Sequence, residues 1–136
     1  MAVQFEIKTV LATTPENVYT AWLNSESHSL MTEAEAEIYP EVGKEFTTWD
    51  DYISGKNIEL IPGQKIIQKW RTVEFKDSDQ DSHLEINLKE VPDGCEITIL
   101  HTDIPDGQPD YEQGWKDAYF RPMKKYFAEL QDNISL

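Results

Sequence analysis

Chemistry in this chain rests on few side chains. His28, His83 and His101 are its only histidines and Cys95 its only cysteine, so a metal centre, a thiolate nucleophile and a histidine general base would all draw on four residues. No two of the histidines stand at metal-ligand spacing. Cys95 and His101 share a face of one expected strand but lie roughly 20 Å apart along it, too far for a thiolate-imidazole pair. His83 falls on the opposite strand face from Leu84, and His28 falls in a loop or short helix. Asp50-Asp51 and Asp79 to Asp81 fall at turns, where Asp serves the backbone, and lack the glycine and terminal Glu of a calcium loop. There is no nucleophile elbow, phosphate-cradling glycine loop or dinucleotide fingerprint. No catalytic residue, metal or cofactor is therefore assigned.

Binding is better served than catalysis. Thr48 is in register with Phe46, and His101 with Cys95, Ile97 and Ile99, so each polar side chain projects toward the apolar side of its strand. His101 is the first candidate to exchange a hydrogen bond with a ligand, against the alternative of a satisfied core histidine. Between Asp110 and Leu130, Tyr111, Trp115, Tyr119, Met123, Tyr126 and Leu130 recur at helical spacing. Trp22, Trp49, Trp70 and Trp115 either fill the space between helix and sheet or meet a ligand there. The expected lining is Thr48, Trp70, His101, Trp115, Tyr119 and Met123, and the expected occupant is a small hydrophobic or aromatic molecule.

The elements that must hold these residues are legible from period and punctuation. Val3, Phe5 and Ile7 alternate with Gln4, Glu6 and Lys8, as a half-buried strand does. Thr14-Pro15 then caps a short helix whose apolar face is Val18, Ala21 and Trp22. Ser25 is placed to cap a further turn that docks Leu30 and Met31. From Glu33 the period becomes two, with turns expected at Pro40 to Gly43, Ser54-Gly55, Pro62-Gly63, Asp77 to Asp81 and Pro92-Asp93-Gly94, which predicts about six more antiparallel strands. Asp110 caps the last helix, with Gln113 returning the bond. That helix is expected to run about 30 Å to Leu130 and to kink at Pro122, which cannot donate to the carbonyl of Ala118.

Length and charge bound the partners. The 136 residues, 39% hydrophobic and 11% aromatic, suit one domain spanning 1–136 with its own core. Twelve Lys and Arg stand against 26 Asp and Glu, a net charge of −14, which repels nucleic acid and anionic membrane surfaces. No run approaches the ~18 apolar residues of a membrane span, and the amino terminus alternates rather than forming a leader. A cytoplasmic location is expected, and nothing in the sequence sets an oligomeric state.

The order strand, helix, many antiparallel strands, long helix resembles the helix-grip fold of the START and Bet v 1-like superfamily. Phe46, Trp49-Asp50-Asp51-Tyr52-Ile53-Ser54-Gly55, Glu59-Leu60-Ile61-Pro62-Gly63, Lys65-Ile66-Ile67 and Trp70-Arg71 resemble one branch of it, the activator of Hsp90 ATPase homologue 1-like domain. Val18-Tyr19, Ala21-Trp22, Gly114-Trp115 and Tyr126-Phe127 look like further landmarks of that family. The resemblance spans nearly the whole chain. It implies an α+β helix-grip fold, a curved antiparallel sheet of six to seven strands around a long terminal helix, with one or two short helices after strand 1. It also implies two alternatives to ligand binding: an Hsp90-type chaperone as partner, and a cyclase or aromatase activity on polyketides.

Overall fold

The computed structural model describes residues 3–134. Its strands are β1 (Val3–Leu11), β2 (Glu45–Thr48), β3 (Ile53–Ile61), β4 (Lys65–Thr72), β5 (Ser82–Val91) and β6 (Gly94–Ile104). They form one curved antiparallel sheet in the order β1-β6-β5-β4-β3-β2. Helices α1 (Pro15–Trp22) and α2 (Ser25–Thr32) follow β1. The terminal rod is α3 (Tyr111–Trp115), a π turn over Lys116–Phe120, and α4 (Arg121–Ile134). This is the expected helix-grip architecture, with six strands in all.

Alternation places the core. Ile66, Gln68, Trp70 and Thr72 of β4, Leu84, Ile86 and Leu88 of β5, and Cys95, Ile97, Ile99 and His101 of β6 are all buried, while their neighbours are less so. The rod lies across that inner face and contributes Tyr111, Trp115, Tyr119, Met123 and Phe127, also buried. Five side chains at a constant interval of four drift around an α-helix by about 40° a step, so about 160° from first to last. The π turn lets them share one side, because its wider winding takes up part of that drift. Pro122 follows at once, and the helix continues past the expected Leu130 to Ile134.

Several local readings need correction. Ser54-Gly55 is not a turn: both lie within β3, and the chain reverses instead through Trp49, Asp50 and Asp51, with φ of 54°, 55° and 72°. Gly55 is required by close approach, since it sits opposite both Phe46 and Trp70 on the inner face. A Cβ there would collide with the Lys69 carbonyl and the Phe46 ring. Gly55→Ala should therefore destabilise by about 1–3 kcal/mol, read as a lowered urea midpoint; an unchanged midpoint would refute the collision. Asn24, not Ser25, caps α2 by accepting from the Ser27 amide. Ser25 Oγ instead donates to the Ile38 carbonyl and accepts from its amide, and Leu30 is solvent-exposed. Asp110 does accept from the Gln113 amide, but the Gln113 side chain turns away to donate to Asp117. Five strands follow Glu33, plus a single bridge between Glu37 and Thr47.

No helix among the described residues is long and apolar enough to cross a membrane.

Candidate functional site

A cleft of about 240 Å³ opens between the terminal rod and the β2–β4 end of the sheet, lined almost wholly by apolar surface. Its walls are six aromatic side chains, Trp49, Tyr52, Trp70, Tyr111, Trp115 and Tyr119, completed by Ile53, Gly114 and Ala118. The rings are ordered. Trp70 and Trp115 are inclined at 37° with centroids 5.8 Å apart, and Trp115 and Tyr119 at 36° with centroids 4.7 Å apart, so the three overlap in one tilted stack along the cleft. Trp49 stands at 77° to Tyr119, and Tyr111 at 82° to Trp70, as walls at the two ends.

Each ring is held by a nameable cause. Trp70 is an inward residue of β4, while Trp115 and Tyr119 lie one turn apart on the rod. Trp49 is brought in by the left-handed turn, where a bulky residue at positive φ is an outlier that only its surroundings can sustain. Tyr111 hydrogen-bonds Thr72 at 2.7 Å and donates to Gln108, while Tyr52 donates to Glu74. Burial raises the pKa of Tyr52, Tyr111 and Tyr119, so every tyrosine of the lining stays a neutral phenol.

Behind the stacked rings lie two histidines whose proton positions follow from their partners. Trp115 Nε1 can only donate, and it donates to His101 Nδ1 at 3.1 Å. His101 must then carry its proton on Nε2, which donates to Ser82 Oγ at 2.8 Å, and Ser82 donates to the Trp70 carbonyl at 2.6 Å. Both ring nitrogens are thus committed, and the ligand hydrogen bond expected of His101 has no free atom to make it. His28 has the other tautomer: Nδ1 donates to the Trp22 carbonyl at 2.8 Å, so Nε2 accepts from the Tyr119 hydroxyl at 3.0 Å. Thr48 Oγ1 lies 3.3 Å from that same hydroxyl and supplies its second contact. Burial lowers the pKa of His28 to about 4, against a smaller rise from the Trp22 bond. Burial, and then the charge of His83, lowers that of His101 to about 3. The two histidines are neutral braces for Trp115 and Tyr119.

Of the expected lining, Trp70, Trp115 and Tyr119 meet at the cleft, and Thr48 and His101 hold it from behind. Met123 is fully buried and outside the lining. Trp49, Tyr52 and Tyr111 complete the walls. His28 reads from its sequence neighbours as a loop or short-helix residue, and nothing in the local pattern marks its reach to Tyr119, 91 positions away. Trp22 Nε1, Trp49 Nε1 and Gln68 Oε1 are buried without a hydrogen-bond partner among the described residues. Trp49 Nε1 still lies near enough to the Tyr119 oxygen to favour its ionised form, a smaller effect than burial, without closing a bond. Burial pushes the Cys95 thiol up to about 11, which leaves it protonated and unreactive. No group of three or more His, Cys, Asp or Glu among the described residues is placed to hold a metal.

Residues 12–128 match the family model described as activator of Hsp90 ATPase homolog 1-like protein. The chain belongs to that family. Within this activator-like family, it is 27% identical over 125 residues to the human activator of 90 kDa heat shock protein ATPase homolog 1, covering 90% of this chain and 36% of that protein. The chain thus spans about a third of the length of the curated relatives it matches. An Hsp90 activator from Plasmodium falciparum superposes with a TM-score of 0.79 at 18% identity, covering 95% of this chain and 96% of that one. DynU16, described as a putative protein in the dynemicin biosynthetic locus, superposes at 0.72 with 11% identity over 90% of this chain and 46% of its own. At such identities the structural likenesses establish the fold alone.

Proposed function

We propose that this domain binds one small apolar or aromatic molecule in the cleft between its terminal rod and the sheet. The observation that carries the reading is the ring-lined cleft itself. Six aromatic side chains converge on it and no charged side chain does, which is the composition of a binding pocket rather than of an acid-base site. At about 240 Å³ it falls below the roughly 300–1,000 Å³ of drug-sized sites, so the occupant is a small metabolite or one headgroup of a larger molecule. Three of the four tryptophans line the cleft, which gives a direct readout. A binding aromatic should move the indole N–H resonances of Trp49, Trp70 and Trp115 more than that of Trp22. Ala118→Phe, which fills the cleft from the rod, should abolish those shifts. A panel of small aromatics that leaves all four resonances in place would end the proposal.

A second reading, docking to an Hsp90-type chaperone, draws on the activity for which the human and Plasmodium relatives are named. Stimulation of such a chaperone's ATPase by the added chain would favour it; neither binding nor stimulation at low salt would dispose of it. Cyclase or aromatase chemistry has less support, because both buried histidines have their ring nitrogens committed.

A further inference from the structure

Resting on the ligand-cleft reading above, we infer that the group held among the rings is a fully methylated ammonium. Aromatic faces carry negative electrostatic potential, and a cation within about 6 Å of a ring centroid is attracted to it. Here six rings line one small space, with Trp49 at 77° to Tyr119 at one end and Tyr111 at 82° to Trp70 at the other. A neutral aromatic gains from such rings by stacking and edge contact, whereas a compact, roughly spherical cation is attracted to every ring face turned toward the cleft at once.

The charge around the cleft points the same way. The chain carries −14 overall, and no Lys or Arg lines the cleft. The Glu74 carboxylate accepts from the Tyr52 hydroxyl, and Asp50 and Asp51 stand in the turn beside Trp49. A bound cation therefore has the Glu74 carboxylate behind the Tyr52 wall and no positive side chain in the lining.

The lining also distinguishes among cations. A primary ammonium brings three N–H donors that need acceptors once water is removed. The lining is almost wholly apolar, and the Tyr52 and Tyr111 hydroxyls already engage Glu74, Thr72 and Gln108. A quaternary ammonium has no donor to leave unsatisfied, so it loses least on entering.

The test is a calorimetric titration of the full chain at physiological salt with three probes: benzyltrimethylammonium, its neutral isostere of the same shape neopentylbenzene, and the smaller primary ammonium benzylammonium. Benzyltrimethylammonium is expected to bind at least tenfold more tightly than either of the others. Trp49→Gly should weaken it at least tenfold while relieving the left-handed strain at that position, so the loss is not one of folding. Ala118→Phe should abolish it. Neopentylbenzene binding as well as the cation would overturn this inference and leave the apolar-receptor reading standing. Cation binding that survives both substitutions would assign it to the acidic surface and overturn the inference too. Failure of all three probes to bind would remove both proposals.

Discussion

Between pH 7.5 and pH 5 the domain should lose about 4 kcal/mol of stability through two histidines alone. An imidazole in the unfolded chain takes up its proton near pH 6.5. In the folded protein burial holds His28 to about 4 and His101 to about 3. Between these limits the unfolded state binds more protons than the native one, so stability rises with pH. It is fully present above 6.5 and is lost as pH falls toward the folded values. Each histidine contributes a slope of about 1.4 kcal/mol per pH unit over that window, and the total is a sizeable fraction of the roughly 5–15 kcal/mol available to a domain. Falling net charge acts in the opposite direction, because the −14 of the neutral-pH protein diminishes on acidification and self-repulsion relaxes.

Urea denaturation at a series of pH values separates the two effects. His28→Asn keeps a donor for the Trp22 carbonyl, and His101→Gln keeps one for Ser82. Each variant should be weaker at pH 7.5 but show about half the wild-type slope between pH 5 and 6, since only one buried imidazole remains. Slopes identical to wild type in both variants would show that the histidines are not the source of the acid sensitivity.

Period and punctuation carried the fold because the core is made by alternation: one inward face each on β4, β5 and β6, and one stripe on the rod. Four of the cleft's rings, Trp70, Tyr111, Trp115 and Tyr119, sit on those regular faces, and three of them, Trp70, Trp115 and Tyr119, are in the expected lining. What escaped period and punctuation depends on departures from regularity or on distance along the chain. Trp49 enters the cleft because three consecutive non-glycine residues adopt positive φ, a conformation that residue type argues against. Gly55 has the residue type of a turn former, whereas its role is to let the Phe46 ring and the Lys69 carbonyl approach. His28 joins the site through a hydrogen bond to Tyr119, a pairing that only the packing of α2 against the rod creates. Alternation puts His101 on the inner face, but its freedom to meet a ligand depends on Ser82 and Trp115, partners no local pattern shows.

Deleting Ala118 should cost about 3 kcal/mol or more, and adding Pro122→Ala to the deletion should return most of it. The reason lies in the spacing of Tyr111, Trp115, Tyr119, Met123 and Phe127. At four residues each, the stripe holds one residue more than an α-helix can keep on a single side, and the π turn accommodates it. Removing Ala118 makes the second interval three, and an uninterrupted α-helix then keeps all five inward. The same change would set the proline inside regular helix, where its ring strikes the carbonyl four residues earlier and one hydrogen bond is missing, at about 3 kcal/mol. In the native rod the wide turn ends at Phe120 and is closed by the Arg121 amide donating back to Lys116, so the Pro122 ring meets an already loosened ladder. Pro122→Ala alone should change little. Even in the rescued double variant, Tyr119 would sit three residues from Trp115 instead of four, displacing the ring pair now 4.7 Å apart and removing ligand binding while stability returns. A deletion as stable as the native chain would show that Pro122 does not depend on the wide turn, and a double variant as weak as the deletion would sink the phase argument.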